Sequence, residues 1–262
     1  MFILIGDKLK SLNINGLKIH SFNSEKIPLF KTIEECEKWF IVNDPYFFSS
    51  KDEIYNVVVY GGDPLCGSVL FLAEKFKDKK INIIYLFQNK YSNNLTELNH
   101  KITVNILQEY ARSGCFESIY LIDLDVIIKL YSNYPINKFS VIYDQIIVDL
   151  LKFIEWASSN PSCIYGESYD ILEINKIRTI SFVFFDKKES IPLFNLEKSS
   201  LSEDKFYFLF TQKELDDKND VITIAEENMK NISNKKYFGI YLGDNVRSYH
   251  FCVGCSNLIQ KF

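Results

Sequence analysis

The stretch VVVYGGDPLCGSVLFLAEKF, residues 57–76, carries the residue types that hold an anion: an apolar strand, a glycine-bearing loop and the first turns of a helix. Gly61, Gly62 and Gly67 would let the backbone approach a phosphate, Ser68 can donate its hydroxyl, and the helix behind would present its positive end. The middle of the loop argues the other way. Asp63 sets a carboxylate against an incoming anion, and Pro64 removes a backbone donor. Two readings stand: a pocket for phosphates at Gly61, Gly62, Gly67 and Ser68, or a strand-to-helix turn that keeps glycine for its backbone angles alone.

The other chemistry-bearing residues are sparser. Cys252-Val-Gly-Cys255 lacks the second pair that a zinc site needs and begins inside a strand-like run, so it reads as packing. His20, His100 and His250 have no partner at ligand or triad spacing. Asp123 and Asp125 end an apolar strand, where sites in α/β sheets gather, but they fit a helix start better.

These residues need a scaffold, and hydrophobic patterning supplies one. FILIG (2–6), LKIHSF (17–22), YNVVVY (55–60), INIIYLF (81–87) and SIYLID (118–123) are apolar with little alternation, as in parallel strands buried on both faces. Helices fit between them near 32–41, where Thr32 and Glu35 have capping-box spacing, and near 68–77, 95–113 (ended by Gly114) and 125–132. A long amphipathic helix follows, from about Phe139 to Trp156, with Ile142, Ile146, Leu150 and Ile154 on one stripe. Past SSNPS (158–162) the chain turns strand-heavy. RTISFVFF (178–185), KFYFLFT (205–211), KYFGIYL (236–242) and VRSYHFCV (246–253) read as strands, with a helix near 219–232. LGDN makes the last two look like a hairpin.

Composition narrows the function classes. With 262 residues and a formal charge of −4, the chain has no basic field for nucleic acid or an anionic membrane, and no nucleic-acid partner is expected. No apolar run suffices for a membrane span. Six scattered cysteines suit a cytoplasmic or equivalent reducing compartment. The 22 Phe and 16 Tyr, against 10 Gly and 6 Pro, favour a well-packed chain with aromatic area for protein contacts.

Taken in order, these parts resemble the tubulin/FtsZ family. Gly61, Gly62 and Gly67 match three glycines of its GGGTGSG loop. SIYLIDLDVIIKL and KFSVIYDQIIVDLL are similar to its next two stretches, with Asp144 at the acidic position that contacts nucleotide in that family. YFGIYLGDNVRSYHFCVGC aligns with its end, placing Arg247 and Gly254 in register. The resemblance implies an α/β fold: a parallel, Rossmann-like sheet with helices on both faces (1–138), a long core helix (139–158) and a smaller α+β domain with a mixed sheet (159–262).

The departures bear on function. DKLKSLNING (7–16) is too short for the family's first phosphate loop and helix, and about thirty residues before VVVY must include the 32–41 helix, leaving no terminal-phosphate sensor. Where the family places an Asn-x-Asp-x-x-Asp loop that activates water in the neighbouring subunit, this chain has Ile171, Glu173 and Lys176, so Glu173 is the remaining catalytic candidate; in a shifted register Asp170 takes that place. The resemblance therefore implies a pseudo-GTPase acting through protein contacts, as a filament partner or a subunit of a larger assembly, with self-association open. No cofactor is expected, although GTP or GDP would fit as a residual ligand at Gly61, Gly62, Gly67, Ser68 and Asp144. The alternative is an active GTP-binding, filament-forming cytoskeletal GTPase.

Overall fold

A computed structural model describes the chain except for residues 11, 13–18, 24, 26, 29, 44–53, 77–78, 89–93, 131–134, 160, 167–170, 185–190, 218–219, 230–234 and 244–248. The chain forms two compact units, Met1–Glu155 with Ile259–Phe262, and Trp156–Leu258.

In the first unit the five apolar runs become strands β1 (Phe2–Ile5), β2 (Ile19–Phe22), β3 (Ile54–Tyr60), β4 (Lys80–Phe87) and β5 (Ser118–Asp123). They pair in parallel in the order β2-β1-β3-β4-β5. Burial along β1, β3, β4 and β5 is almost continuous, so both faces are covered. The helices between them are α1 (Ile33–Asn43), α2 (Ser68–Lys75), α3 (Asn94–Arg112) and α4 (Leu124–Leu130), followed by the long α5 (Ile136–Ser158). Their ends follow local chemistry. The Glu35 N–H donates to Thr32 Oγ1 at 3.2 Å and the Glu35 carboxylate accepts from the Lys31 N–H at 3.0 Å, which starts α1. Gly114, at φ +81°, stops α3 by letting the Cys115 N–H reach back to the Tyr110 carbonyl.

A buried polar ladder fixes the register of the central strands. Asn56, Asn82 and Ser118 stand directly opposite one another on β3, β4 and β5. Asn82 Nδ2 donates to Asn56 Oδ1 at 3.0 Å and Ser118 Oγ donates to Asn82 Oδ1 at 2.7 Å. A one-residue slip would separate all three in an apolar layer, so the ladder penalises misregistration.

The second unit holds β6 (Tyr165–Gly166), β7 (Ile177–Phe184), β8 (Ile191–Pro192), β9 (Glu203–Phe210), α6 (Gln212–Asp217), α7 (Val221–Met229), β10 (Lys235–Leu242) and β11 (Tyr249–Ser256). Phe206, Phe208 and Phe210 alternate along β9 and pack on Val221, Ala225 and Met229 of α7. The hairpin expected from LGDN is absent. β10 pairs in parallel with β9, and β11 lies antiparallel between β7 and β9. Parallel neighbours need a crossover, and α6 and α7 supply it by burying their apolar stripe on β9. This packing outweighs a short turn signal. Among the described residues no helix is long and apolar enough to cross a membrane.

The ladder can be tested directly. Asn82→Leu leaves the Asn56 carbonyl and the Ser118 hydroxyl buried without partners, and should lower unfolding free energy by about 2–4 kcal/mol in urea titration.

Candidate functional site

The loop between β3 and α2 shows what a glycine-bearing turn does when its donors face inward. The Gly61 N–H donates to the Leu86 carbonyl at 2.7 Å, the Asp63 N–H to Tyr60 and the Cys66 N–H to the Asp63 carbonyl. Pro64 has no donor. The Leu65 N–H donates to Asp63 Oδ1 at 2.9 Å. The Gly62 and Gly67 N–H groups bear on the buried Cys66 sulfur. The turn continues into α2, where the N–H groups of Ser68, Val69 and Leu70 reach the carbonyls of Leu65, Cys66 and Gly67. The backbone donors of Gly61, Asp63, Leu65, Cys66, Ser68, Val69 and Leu70 thus have acceptors inside the loop, on Tyr60 at the end of β3 or on β4.

Asp63 is the centre of this arrangement. Its second oxygen, Oδ2, accepts the Asp7 N–H at 3.0 Å, so one carboxylate joins the loop to the short 3-10 turn (Asp7–Leu9) that follows β1. Gly6, at φ +116°, makes room for it: a Cβ there would lie 2.9 Å from Asp63 Oδ2. The anion that meets these two loops is a side chain of the protein itself. Burial pushes the Asp63 carboxyl above its ordinary pKa, while the Leu65 and Asp7 N–H groups pull it back.

The expected glycines have different duties. Gly62 takes φ +80° for the turn. A Cβ on Gly61 would stand 2.7 Å from Tyr85 Oη and 2.9 Å from His100 Nδ1. The Ser68 hydroxyl is buried and donates to the Leu65 carbonyl at 2.8 Å. Asp144, on α5, stands apart from these four and lines a cavity of about 340 Å³. Glu173 is exposed in a turn of the second unit. Buried Glu203 anchors that turn, its Oε2 accepting from the Leu172 N–H at 2.9 Å and from Asn175 Nδ2 at 3.0 Å. Leu172 and Ile174 consequently project outward, 39% and 50% exposed. Asp170 and Arg247 lie outside the described residues.

The cavity brings in residues that sequence reading did not single out. Lys8, Tyr60 and Gln88 line it with Tyr143 and Asp144. Lys8 Nζ donates to Tyr60 Oη at 2.7 Å, and Tyr60 Oη donates to Gln88 Oε1 at 2.7 Å. Their signal was positional: each falls at or just after the carboxyl end of a parallel strand.

The remaining candidates have local roles. Asp123 Oδ1 accepts the Asp125 N–H at 2.9 Å and caps α4. Cys252 and Cys255 are buried in β11 with thiols pushed up by burial, Cys255 to about 12. Among the described residues no His, Cys, Asp and Glu group could hold a metal.

No family model and no curated protein matches the sequence. Solved structures do match. A GTPγS-form protofilament of TubZ from Bacillus thuringiensis serovar israelensis aligns with a TM-score of 0.68 at 11% identity, covering 99% of this chain and 87% of that one. The empty FtsZ dimer of M. jannaschii gives 0.65 at 11%, covering 97% and 87%, and GTPγS-bound CetZ2 from Haloferax volcanii gives 0.64 at 10%, covering 97% and 92%. The chain has the tubulin/FtsZ fold. At this identity it is a divergent example, and the fold expected from its colinear motifs is borne out.

Two histidines of this tubulin-like chain make a pH prediction. Burial lowers both His100 and His250 to about 4. Each is neutral in the fold and protonates near 6.5 when unfolded, so each stabilises the fold above pH 6.5 and loses that contribution as pH falls toward 4, up to about 3 kcal/mol. Asp63 and Asp144, raised by burial, act in the opposite sense and favour the fold as they protonate. Urea midpoints should fall from pH 7 to pH 4.5, and His250→Leu should flatten that slope whatever it does to stability at pH 7.

Proposed function

We propose that this tubulin/FtsZ-like protein is a pseudo-GTPase that works as a subunit of a protein assembly. The observation that carries the reading is the inward use of the loop's donors. A triphosphate bound there would have to displace Asp63 from two N–H groups and then lie beside its carboxylate. The turn holding Glu173 supports the second half of the reading. Glu203 fixes it in place, and its outward apolar side chains, Leu172 and Ile174, suit contact with a protein surface better than activation of water. The similar TubZ and FtsZ structures are a protofilament and a dimer, which favours a second copy as the partner. A cytoplasmic or similarly reducing setting, with no cofactor, goes with this reading and with the free cysteines of the chain.

A working GTPase is the second reading. Asp144 on the cavity wall and the exposed carboxylate of Glu173 favour it.

Phosphate release and sedimentation separate the two. The pseudo-GTPase should release no phosphate from magnesium–GTP above the buffer rate at micromolar protein. It should pellet to the same extent with GTP, GDP or neither, and Ile174→Asp should reduce pelleting where Glu173→Ala does not. GTP-dependent pelleting, with phosphate release abolished by Glu173→Ala, would establish the GTPase instead.

A further inference from the structure

We propose that the backbone edge of Ile259 and Lys261 pairs, antiparallel, with the same edge of a second copy of the chain, across a two-fold axis at Gln260. This contact is separate from the turn that holds Glu173 and does not depend on the pseudo-GTPase reading.

The segment 259–262 belongs to the first unit and is held there from one side. Gln108 of α3, fully buried, accepts the Gln260 N–H through Oε1 at 2.7 Å and donates from Nε2 to the Gln260 carbonyl at 3.1 Å. A residue whose N–H and carbonyl both reach one side-chain amide is extended, and Gln108 stands where a neighbouring strand would. Phe262 fixes the far end, its ring centre 5.1 Å from that of Phe87 and 5.3 Å from that of His100, edge-on to both. The segment is thus ordered before any partner arrives, which removes the entropy cost that a loose segment would bring to pairing.

In an extended chain, successive residues point their N–H and carbonyl groups to opposite edges. Gln260 uses the inner edge, so Ile259 and Lys261 present theirs on the outer one. Among the described residues these backbone groups of Ile259 and Lys261 make no hydrogen bond. A groove of about 570 Å³ lies beside them, bordered by Asn105, Ile106 and Glu109 on α3 and by Ile259, Lys261 and Phe262.

The residues around Gln260 select the occupant. A two-fold axis there sets Ile259 opposite the partner's Lys261, and Lys261 opposite the partner's Ile259. Both become hydrogen-bonded pairs of an antiparallel ladder that exchange two N–H···O bonds each, so every unpaired group on the two edges is satisfied. The same symmetry carries each Lys261 ammonium over the other copy's edge towards the groove that Glu109 borders. Glu109 is exposed, and its ion pair with Arg112 is loose at 3.7 Å. The charges therefore complement each other once per groove. An unrelated peptide strand matches the backbone edge but brings no defined cation to Glu109. The edge is short, so the association is weak and reversible.

Sedimentation equilibrium of the full chain and of Ile174→Asp, in which the contact through the Glu173 turn is impaired, tests this. Dimerisation should persist in Ile174→Asp. Lys261→Pro removes an N–H that the single chain does not use and suits an extended Gln260, so it should keep the fold and lower the association constant at least tenfold, whereas Lys261→Arg should leave it within twofold. Glu109→Lys should weaken the dimer at least fivefold, and adding Lys261→Glu should restore it. The peptide Ser-Asn-Leu-Ile-Gln-Lys-Phe, copied from residues 256–262, should dissociate dimers of the unmodified chain, which keeps the test decisive if a variant fails to fold. A chain that stays monomeric at millimolar concentration, or that dimerises equally well with Lys261→Pro, would overturn the pairing. Dimers lost with Ile174→Asp alone would overturn it too, and would assign self-association to the Glu173 turn.

Discussion

One carboxylate organises the end of the first unit where its strands meet their loops. Asp63 accepts the N–H of Leu65 within its own loop and that of Asp7 after β1, and Gly6 is a glycine because a side chain would collide with it. A loop of this class binds anions only while its donors point outward and stay unpaired. Here the same donors hold the protein's own groups: a carboxylate and the carbonyls of Leu86, Tyr60, Asp63 and Leu65. The internal bonds of the loop maintain its shape. The two backbone donors offset part of the desolvation of this half-buried carboxylate, and burial still raises its pKa.

The glycines illustrate how one residue type serves separate constraints. Gly62 turns the chain through a positive φ, whereas Gly61 gives way to Tyr85 and His100. His100 is itself stacked on Tyr85 and Phe87 and meets the edge of Phe262, so the close packing at Gly61 extends to the segment 259–262. Gln108 binds that segment through the backbone N–H and carbonyl of Gln260, at 2.7 and 3.1 Å. A glycine kept for packing and one kept for a turn look alike in sequence, and only their neighbours distinguish them.

Much of the fold was legible because burial on both faces writes itself as continuous apolar runs, and β1, β3, β4 and β5 carry such a record, while the long α5 shows as a one-sided apolar stripe. The second unit was harder. The parallel pairing of β9 with β10 depends on what the crossover helices bury, and a local turn signal such as LGDN carries no information about that. The candidate site was legible in part. Asp63 and Pro64 stood out from the glycines around them, but the sequence could not say that Asp63 would accept from Asp7 and Leu65. The cavity residues Lys8, Tyr60 and Gln88 lie at or just after the ends of three separate strands, and no spacing along the chain connects them.

The measurement closest to the central claim follows the loop amides themselves. Backbone amide resonances of Asp7, Gly61, Leu65 and Cys66 can be recorded with and without millimolar magnesium–GTP. If these donors are held internally, their shifts and their slow hydrogen exchange stay unchanged. Movement of these four amides on adding GTP, with Asp7 and Leu65 shifting together as Asp63 is displaced, would show the loop opening to an anion and would contradict the account.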